Sequence, residues 1–358
     1  MSMLRERMAM LMEQAGMLEP WVGCFREEDL LEWVRLELGS VDVLDGWVEH
    51  GRIRTRAVAL SPLLHVVSGN TPHAVFQSVF RGLLVGAFNR VKLPGVGLPE
   101  FERWVGGLPE GLWRMIEMRR DLPEEWLDSE GAVIFGDGAT MAALRERLPA
   151  GVRRIEHGPK VSVAVVFEEG DGLLDRLAED ILRYDQQGCL SVQAVYFDGT
   201  EEEVLDFGDR LAEALGRHRA MHPRGEIRVS EAGRVRNARA VARFLVANGE
   251  GGRIWESEGS TEWTLVHRRA VELVPGPLHG FVTLHGWFGG GDVGAWGGEV
   301  EHLSTVSIHP FTEDHAERVG FLGAPRVCAV GESQRPTIFW HHDGEGALSS
   351  LVRWRDLG

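Results

Sequence analysis

Three short stretches of this sequence carry side chains able to do chemistry. The first is Tyr184-Asp-Gln-Gln-Gly-Cys-Leu-Ser-Val-Gln193, where Cys189 follows a glycine in a polar loop. A thiolate is a strong nucleophile toward acyl groups, so a reachable thiol here could carry one covalently. The competing reading is a small buried hydrophobe, a common fate of a lone cysteine. The second stretch is Ser68-Gly-Asn-Thr-Pro72. The amide of Asn70 could donate to a developing oxyanion, with a helix N-terminus adding partial positive charge. The same residue types also cap helices. The third is Phe135-Gly-Asp-Gly138, a turn before a helix that suits phosphate but lacks the third glycine of a dinucleotide fingerprint. His341-His342-Asp343 has metal-ligand types, yet neighbouring residues of a strand point to opposite faces. The two imidazoles are therefore not expected to share an ion, and no metal is expected. HExxH, GxSxG and GxxxxGK[ST] are absent.

Holding such groups in place calls for a parallel sheet, and the patterning supplies one. Leu63-Leu-His-Val-Val67 reads as a strand closed by the Ser68–Pro72 turn. A helix should start just after Pro72, with Val75, Val79, Leu83 and Ala87 inward. A strand over 90–93 follows, so the unit is a βαβ crossover. The pattern repeats with a strand at 131–135, a turn at 136–138 and a helix over 139–148. Val161 to Phe167 has few polar residues, as a strand buried on both faces requires. A helix with Leu173, Leu174, Leu177 and Ile181 inward follows, then a strand over 192–197. The Cys189 loop joins these two, and it is expected at the carboxyl edge of the strands. A helix over 203–220 should bury Leu205, Leu211 and Leu215. Beyond residue 250 short strands dominate, and 286–298 reads as a flexible loop. The first 50 residues read as helical, with Leu30, Leu31, Trp33, Val34 and Leu38 forming a stripe.

With 358 residues the chain is too long for one ordinary core, so two domains are expected. The junction is placed near Gly158: 1–157 as N-terminal helices and a cofactor-binding domain, 158–330 as a thiol-bearing catalytic domain, 331–358 as a segment packing back on the core. A hydrophobic fraction of 44% and a charged fraction of 26% fit a soluble globular protein. The formal net charge of -16 argues against a nucleic-acid partner, because phosphates would repel it. Three cysteines without CxxC spacing argue against a disulfide framework or structural zinc and suit a reducing cytoplasm. The N-terminus reads as an amphipathic helix rather than a signal peptide, and 74–88 is too short and polar to span a bilayer.

Four stretches together resemble the acyl-CoA reductase family that includes the fatty-acid reductases of bacterial bioluminescence, within the aldehyde-dehydrogenase superfamily. They are HVVSGNTPHAVFQSVFRGLLVGAFNRVKLP at 65–94, VIFGDGATMAALRERLPAGVRRIEHGPKVSVAVV at 133–166, LAEDILRYDQQGCLSVQAVYF at 177–197 and RVCAVGESQRPTIFWHHDGEGALSSLVRWRDL at 326–357. The resemblance implies an α/β fold of the aldehyde-dehydrogenase type, with a Rossmann-type cofactor domain and an α/β catalytic domain. It places the nucleophile at Cys189, the oxyanion-hole amide at Asn70 and a cofactor-ribose lysine at Lys92. Gly136, Gly138 and Thr140 fall in the loop over the cofactor pyrophosphate, and Glu156 aligns with the water-activating base of oxidising relatives. Val192 stands where the family usually has proline.

The implied activity is NADPH-dependent reduction of a fatty acyl-CoA or acyl-protein thioester to an aldehyde, through a cysteine thioester. The 2′-phosphorylated cofactor is favoured because no carboxylate follows Lys92 closely. An acyl-transferase or synthetase partner and a homo-oligomer are implied as well. Two alternatives stay open: an oxidising aldehyde dehydrogenase using Glu156, and a non-catalytic acyl-binding subunit.

Overall fold

Parallel strands joined by helices must be wound through crossovers, and the chain does this twice. The computed structural model describes residues 2–287, 296 and 298–358; the expected loop over 286–298 falls mostly outside them. Two compact units result, one made of Met1–Pro159 with Pro336–Gly358, the other of Lys160–Arg335.

The first unit carries strands β1 (Val48–His50), β2 (Ile53–Ala59), β3 (Leu63–Val66), β4 (Asn89–Lys92), β5 (Ile116–Arg119), β6 (Gly131–Phe135) and β7 (Arg153–His157). Five of them form a sheet in the order β5-β4-β3-β6-β7, with every pair parallel. Counted from β3 this is 3-2-1-4-5, the nucleotide-binding winding, whose direction reverses between β3 and β6. Helix His73–Val85 links β3 to β4 and buries Val75, Val79 and Leu83, with Ala87 just beyond it. Phe76, Phe80 and Leu84 are buried too, because the helices Met3–Met12, Ala15–Val22 and Glu27–Leu38 share that core. Trp21 stacks on Phe76 at 5.1 Å between ring centroids.

One polar group sits in the middle of this core. His65 Nδ1 lies 2.6 Å from Ser78 Oγ and its Nε2 lies 2.9 Å from Asn89 Oδ1, so one ring ties β3, the helix and β4 together. The same unit holds a three-stranded antiparallel sheet in which β2 lies between β1 and the strand Val352–Leu357. The returning segment is keyed by Glu37. Its carboxylate accepts from the backbone N–H groups of Ala347, Leu348 and Ser349 at 3.1, 2.7 and 3.0 Å.

The second unit carries β8 (Val161–Val166), β9 (Val192–Phe197), β10 (Arg253–Glu256), β11 (Thr264–His267), β12 (Phe281–Gly286), β13 (Leu303–His309) and β14 (Arg326–Ala329). Their order is β10-β11-β12-β9-β8-β13-β14, and β10 alone runs antiparallel to its neighbour. Strands β8, β9 and β12 are buried along their whole length. Leu173, Leu177 and Ile181 of helix Leu173–Leu182 are buried, while Leu174 is half-buried.

The next helix spans Glu201–Met221, longer than 203–220, because Thr200 and Glu203 form a reciprocal cap. Its buried stripe is Val204, Phe207, Leu211 and Leu215; Leu205 is only half-buried, so the face is turned by about one residue from the one expected. Helix Val229–Ala247 gave no usable sequence signal. It buries only Val235, Arg239 and Ala242, too thin a stripe to stand out.

Burial pushes the pKa of His65, and of His285 on β12, down to about 4 from an ordinary value of 6.5. Below about 6.5 the unfolded chain takes up protons that the folded one refuses, so the stability present above that value is lost as pH falls toward 4. The urea midpoint should drop steadily over this window. A midpoint unchanged across it would show that neither ring is buried neutral.

Candidate active site

The thiol loop is built against backbone preference. Tyr184, Asp185 and Gln186 are three consecutive non-glycine residues in the left-handed region, with φ of 53, 54 and 62°. Each such residue costs roughly 1–2 kcal/mol, so side-chain contacts must hold it there. Asp185 accepts from the Arg219 guanidinium at 2.9 Å and from the Gly225 N–H at 3.1 Å. Gln186 is fully buried. Its Nε2 donates to the carbonyls of Val192 (2.8 Å) and Phe281 (3.1 Å), and its Oε1 accepts from the Gly280 N–H (3.0 Å). One side chain thus fixes the loop to the starts of β9 and β12.

Beyond this anchor the backbone turns through Gly188, with the Ser191 N–H donating to the Gly188 carbonyl at 3.1 Å. Ser162, on β8, donates its hydroxyl to the Cys189 carbonyl at 2.8 Å. Gln334 donates to Ser191 Oγ at 2.8 Å. Cys189 is therefore pinned on both sides and is half-buried. It lies at the amino end of the parallel strands, not at the carboxyl edge expected from the sequence. A helix that crosses back from the end of β8 must deliver the chain to the start of β9, so a helix-to-strand loop belongs at that edge.

The other two thiols sit in settings that oppose ionisation. Cys328 is buried in β14, and its pKa is pushed up to about 12 by desolvation. Cys24 is exposed and donates to Glu19 at 2.8 Å, which raises its pKa. On the helix leading to the thiol loop, burial likewise lifts the Asp180 carboxyl to about 6, although it accepts from the Gly331 N–H at 2.6 Å.

In the first unit the remaining candidates gather at the carboxyl ends of its parallel strands. Asn70 is exposed in the turn after β3, and the helix that follows is capped by Pro72 with no side-chain hydrogen bond, so Asn70 is not its cap. Lys92 closes β4 and is half-buried. Its register partner on β5 is Arg119, which the sequence reading missed. Paired residues of parallel strands share a face, so two cations stand side by side. The nearest acid downstream is Glu100; Glu102 is committed to the Leu98 N–H at 3.0 Å and to Arg120 at 3.5 Å, and Glu117 pairs with Arg119 at 3.3 Å.

Gly136 lies against Thr140: a Cβ there would meet the threonine Cγ2 at 2.8 Å, whereas one on Gly138 would meet nothing within 4 Å. Asp137 Oδ1 accepts the Thr140 N–H at 2.8 Å, and the Ala139 N–H also turns toward that carboxylate. Glu156 faces helix Gly138–Arg147, where Arg145 Nε binds its two oxygens at 3.1 and 3.0 Å. That ion pair lowers the Glu156 pKa. A carboxylate so engaged is a poor water-activating base.

The next residue, His157, points to the other face of the sheet. Its Nδ1 is 2.8 Å from Asp343 Oδ2, and its ring lies 4.0 Å from that of His342. Phe135 and Trp340 close the stack at 4.7 and 4.4 Å. His341 is exposed and His342 buried, so the adjacent pair does diverge.

No helix among the described residues is long and apolar enough to cross a membrane. The sequence is 23% identical over 96% of this chain to the long-chain acyl-protein thioester reductase of Photobacterium phosphoreum, covering 72% of that protein. Against the Vibrio harveyi enzyme of the same name the identity is 25% over 91% of this chain and 70% of that one. Among solved structures, an NAD-dependent benzaldehyde dehydrogenase from Corynebacterium glutamicum matches with a TM-score of 0.62 at 14% identity, over 99% of this chain and 85% of that one. Aldehyde dehydrogenase C from Pseudomonas syringae, solved with NAD+ and octanal, matches with a TM-score of 0.64 at 10% identity, over 99% and 83%. The family described as acyl-CoA reductase (LuxC) matches residues 2–94 and 117–354. The chain belongs to the acyl-CoA reductase (LuxC) family and has the aldehyde-dehydrogenase fold.

Proposed function

We propose that this protein reduces a long-chain acyl thioester to an aldehyde, with the acyl group carried on Cys189. The observation that carries the reading is the contrast among the thiols. Cys189 is half-buried on a loop fixed by Asp185, Gln186, Ser162 and Gln334, while Cys328 is buried and Cys24 donates to Glu19, which raises its pKa. In this reading the Cys189 sulfur attacks the thioester carbonyl, the carrier thiol departs, and a new thioester remains on the enzyme. Asn70 is assigned the amide that donates to the oxyanion, on the strength of its match to the family motif and its freedom from capping. Acyl-CoA and acyl-protein thioesters are both candidate donors, since the relatives named above act on the latter.

The first unit suits a nicotinamide dinucleotide. Its winding leaves a crevice at the carboxyl ends of β3 and β6, with Gly138 open beside a helix N-terminus. Lys92 and Arg119, the latter also paired with Glu117 at 3.3 Å, would hold the ribose end, and a second cation beside the lysine favours a 2′-phosphate, hence NADPH. When bound, the reduced cofactor would supply the hydride that converts the acyl group to an aldehyde. Glu156, saturated by Arg145, is given no part in the reaction, which leaves the oxidising-dehydrogenase reading without support.

Three measurements test these assignments. Incubation with acyl-CoA in the absence of reduced cofactor should add one acyl mass to the peptide containing Cys189, and Cys189→Ala should neither acylate nor make aldehyde. Aldehyde formation by Cys189→Ala at the native rate would end the proposal. Asn70→Ala should lower turnover by ~10²–10³ with an unchanged melting temperature; a normal turnover number removes Asn70 from the reaction. Lys92→Ala and Arg119→Ala should each raise the KM for NADPH about tenfold, a loss of about 1.4 kcal/mol, and affect NADH much less. A native enzyme that prefers NADH would refute the 2′-phosphate assignment.

A further inference from the structure

The stacked rings at the end of β7 bring together a donor set that the acyl chemistry does not use. His157, His342 and Asp343 each offer one ligand atom, and these atoms lie within 4.8 Å of one another. Asp343 Oδ2 is 2.8 Å from His157 Nδ1 and 3.8 Å from His342 Nε2. The three side chains are only 8, 8 and 10% exposed. Two further observations point to a missing ligand. Asp343 Oδ1 is buried with no hydrogen-bond partner, a costly state for a carboxylate oxygen. Asp343 is also held in the left-handed region, at φ 54°, which aims its carboxylate at the two rings against backbone preference.

We propose that His157, His342 and Asp343 bind a divalent transition-metal cation. Two imidazoles and a carboxylate suit Zn²⁺ or its neighbours rather than Mg²⁺ or Ca²⁺, which prefer oxygen ligands. Ligand bonds of about 2.0–2.2 Å set donor separations of roughly 3–3.5 Å. Opening the His157–Asp343 contact and closing the His342–Asp343 contact, each by roughly half an ångström, and turning the two stacked rings so that their nitrogens converge, would meet that geometry. Protons compete with the ion for these ligands, so affinity falls as pH falls.

Two of the three ligands, His157 and His342, also line a cavity of about 20 Å³ together with Glu345, Ser78 and Arg81. It has room for one water, and Glu345 stands at its edge. The Arg81 guanidinium that also lines it is partly balanced by Glu37. The ion would tie Asp343 and His342 to a strand 186 residues earlier in the chain. Its role is to clamp the returning C-terminal segment, and it takes no part in acyl transfer.

The test uses the full-length Cys189→Ser protein, so that the reactive thiol cannot hold the ion. After chelation, reloading with Zn²⁺ and dialysis, elemental analysis should find about one equivalent per chain, and the melting temperature should rise with added Zn²⁺. Co²⁺ should give the visible d–d bands of a low-symmetry nitrogen and oxygen site without intense thiolate charge transfer. His157→Gln and Asp343→Asn should each lose the ion and the thermal shift; if one fails to fold, the other carries the comparison. Failure of the reloaded protein to retain Zn²⁺, a thiolate band with Co²⁺, or equal retention by His157→Gln would each overturn the proposal.

Discussion

Everything proposed for the thiol depends on one buried amide. Gln186 satisfies two carbonyls and one N–H from three places in the chain, and it does so from a left-handed backbone that its own contacts must pay for. The result is a loop whose position is set by β9 and β12 rather than by its own sequence. A covalent catalyst needs this, because a sulfur that wanders by an ångström loses its alignment with the carbonyl it must attack. Asp185 performs the same service on the adjacent residue through Arg219 and Gly225. The rest of the second unit, a sheet with its central strands buried on both faces, gives these anchors something rigid to hold.

The first unit solves a different problem with less. Its parallel winding alone creates the crevice, and the residues at its rim need little support. Lys92 and Arg119 are register partners because β4 and β5 run side by side, and a side chain at Gly136 would collide with Thr140. The rim thus follows largely from strand order, whereas the thiol loop is built one hydrogen bond at a time.

Legibility in the sequence follows the same division. The strands at Leu63, Gly131, Val161 and Val192 and the helix after Pro72 were readable because apolar runs and turn residues are local signals. The edge at which Cys189 sits was misread, although the topology of a crossover determines it. The left-handed run at Tyr184–Gln186 contains no glycine and could not be read from composition. Glu156 looked available until Arg145, on the neighbouring helix, took both its oxygens. His342 looked isolated because its neighbour His341 points away, while the ring it meets comes from β7. In each case the decisive partner is distant in sequence, beyond the reach of any periodicity argument.

The second unit is one continuous segment inserted into the first, and this has a consequence for the order in which the protein comes into being. All strands of the second unit lie between residues 160 and 335. The first unit cannot complete its antiparallel sheet until Val352–Leu357 pairs with β2, a contact such as Thr55 to Arg355 that spans 300 residues. During synthesis from the N-terminus, the thiol-bearing unit has its full complement of strands while its host still lacks a strand and the backbone that Glu37 grips. All strands of the thiol-bearing unit are therefore synthesised before the last strand of the unit proposed to hold the cofactor.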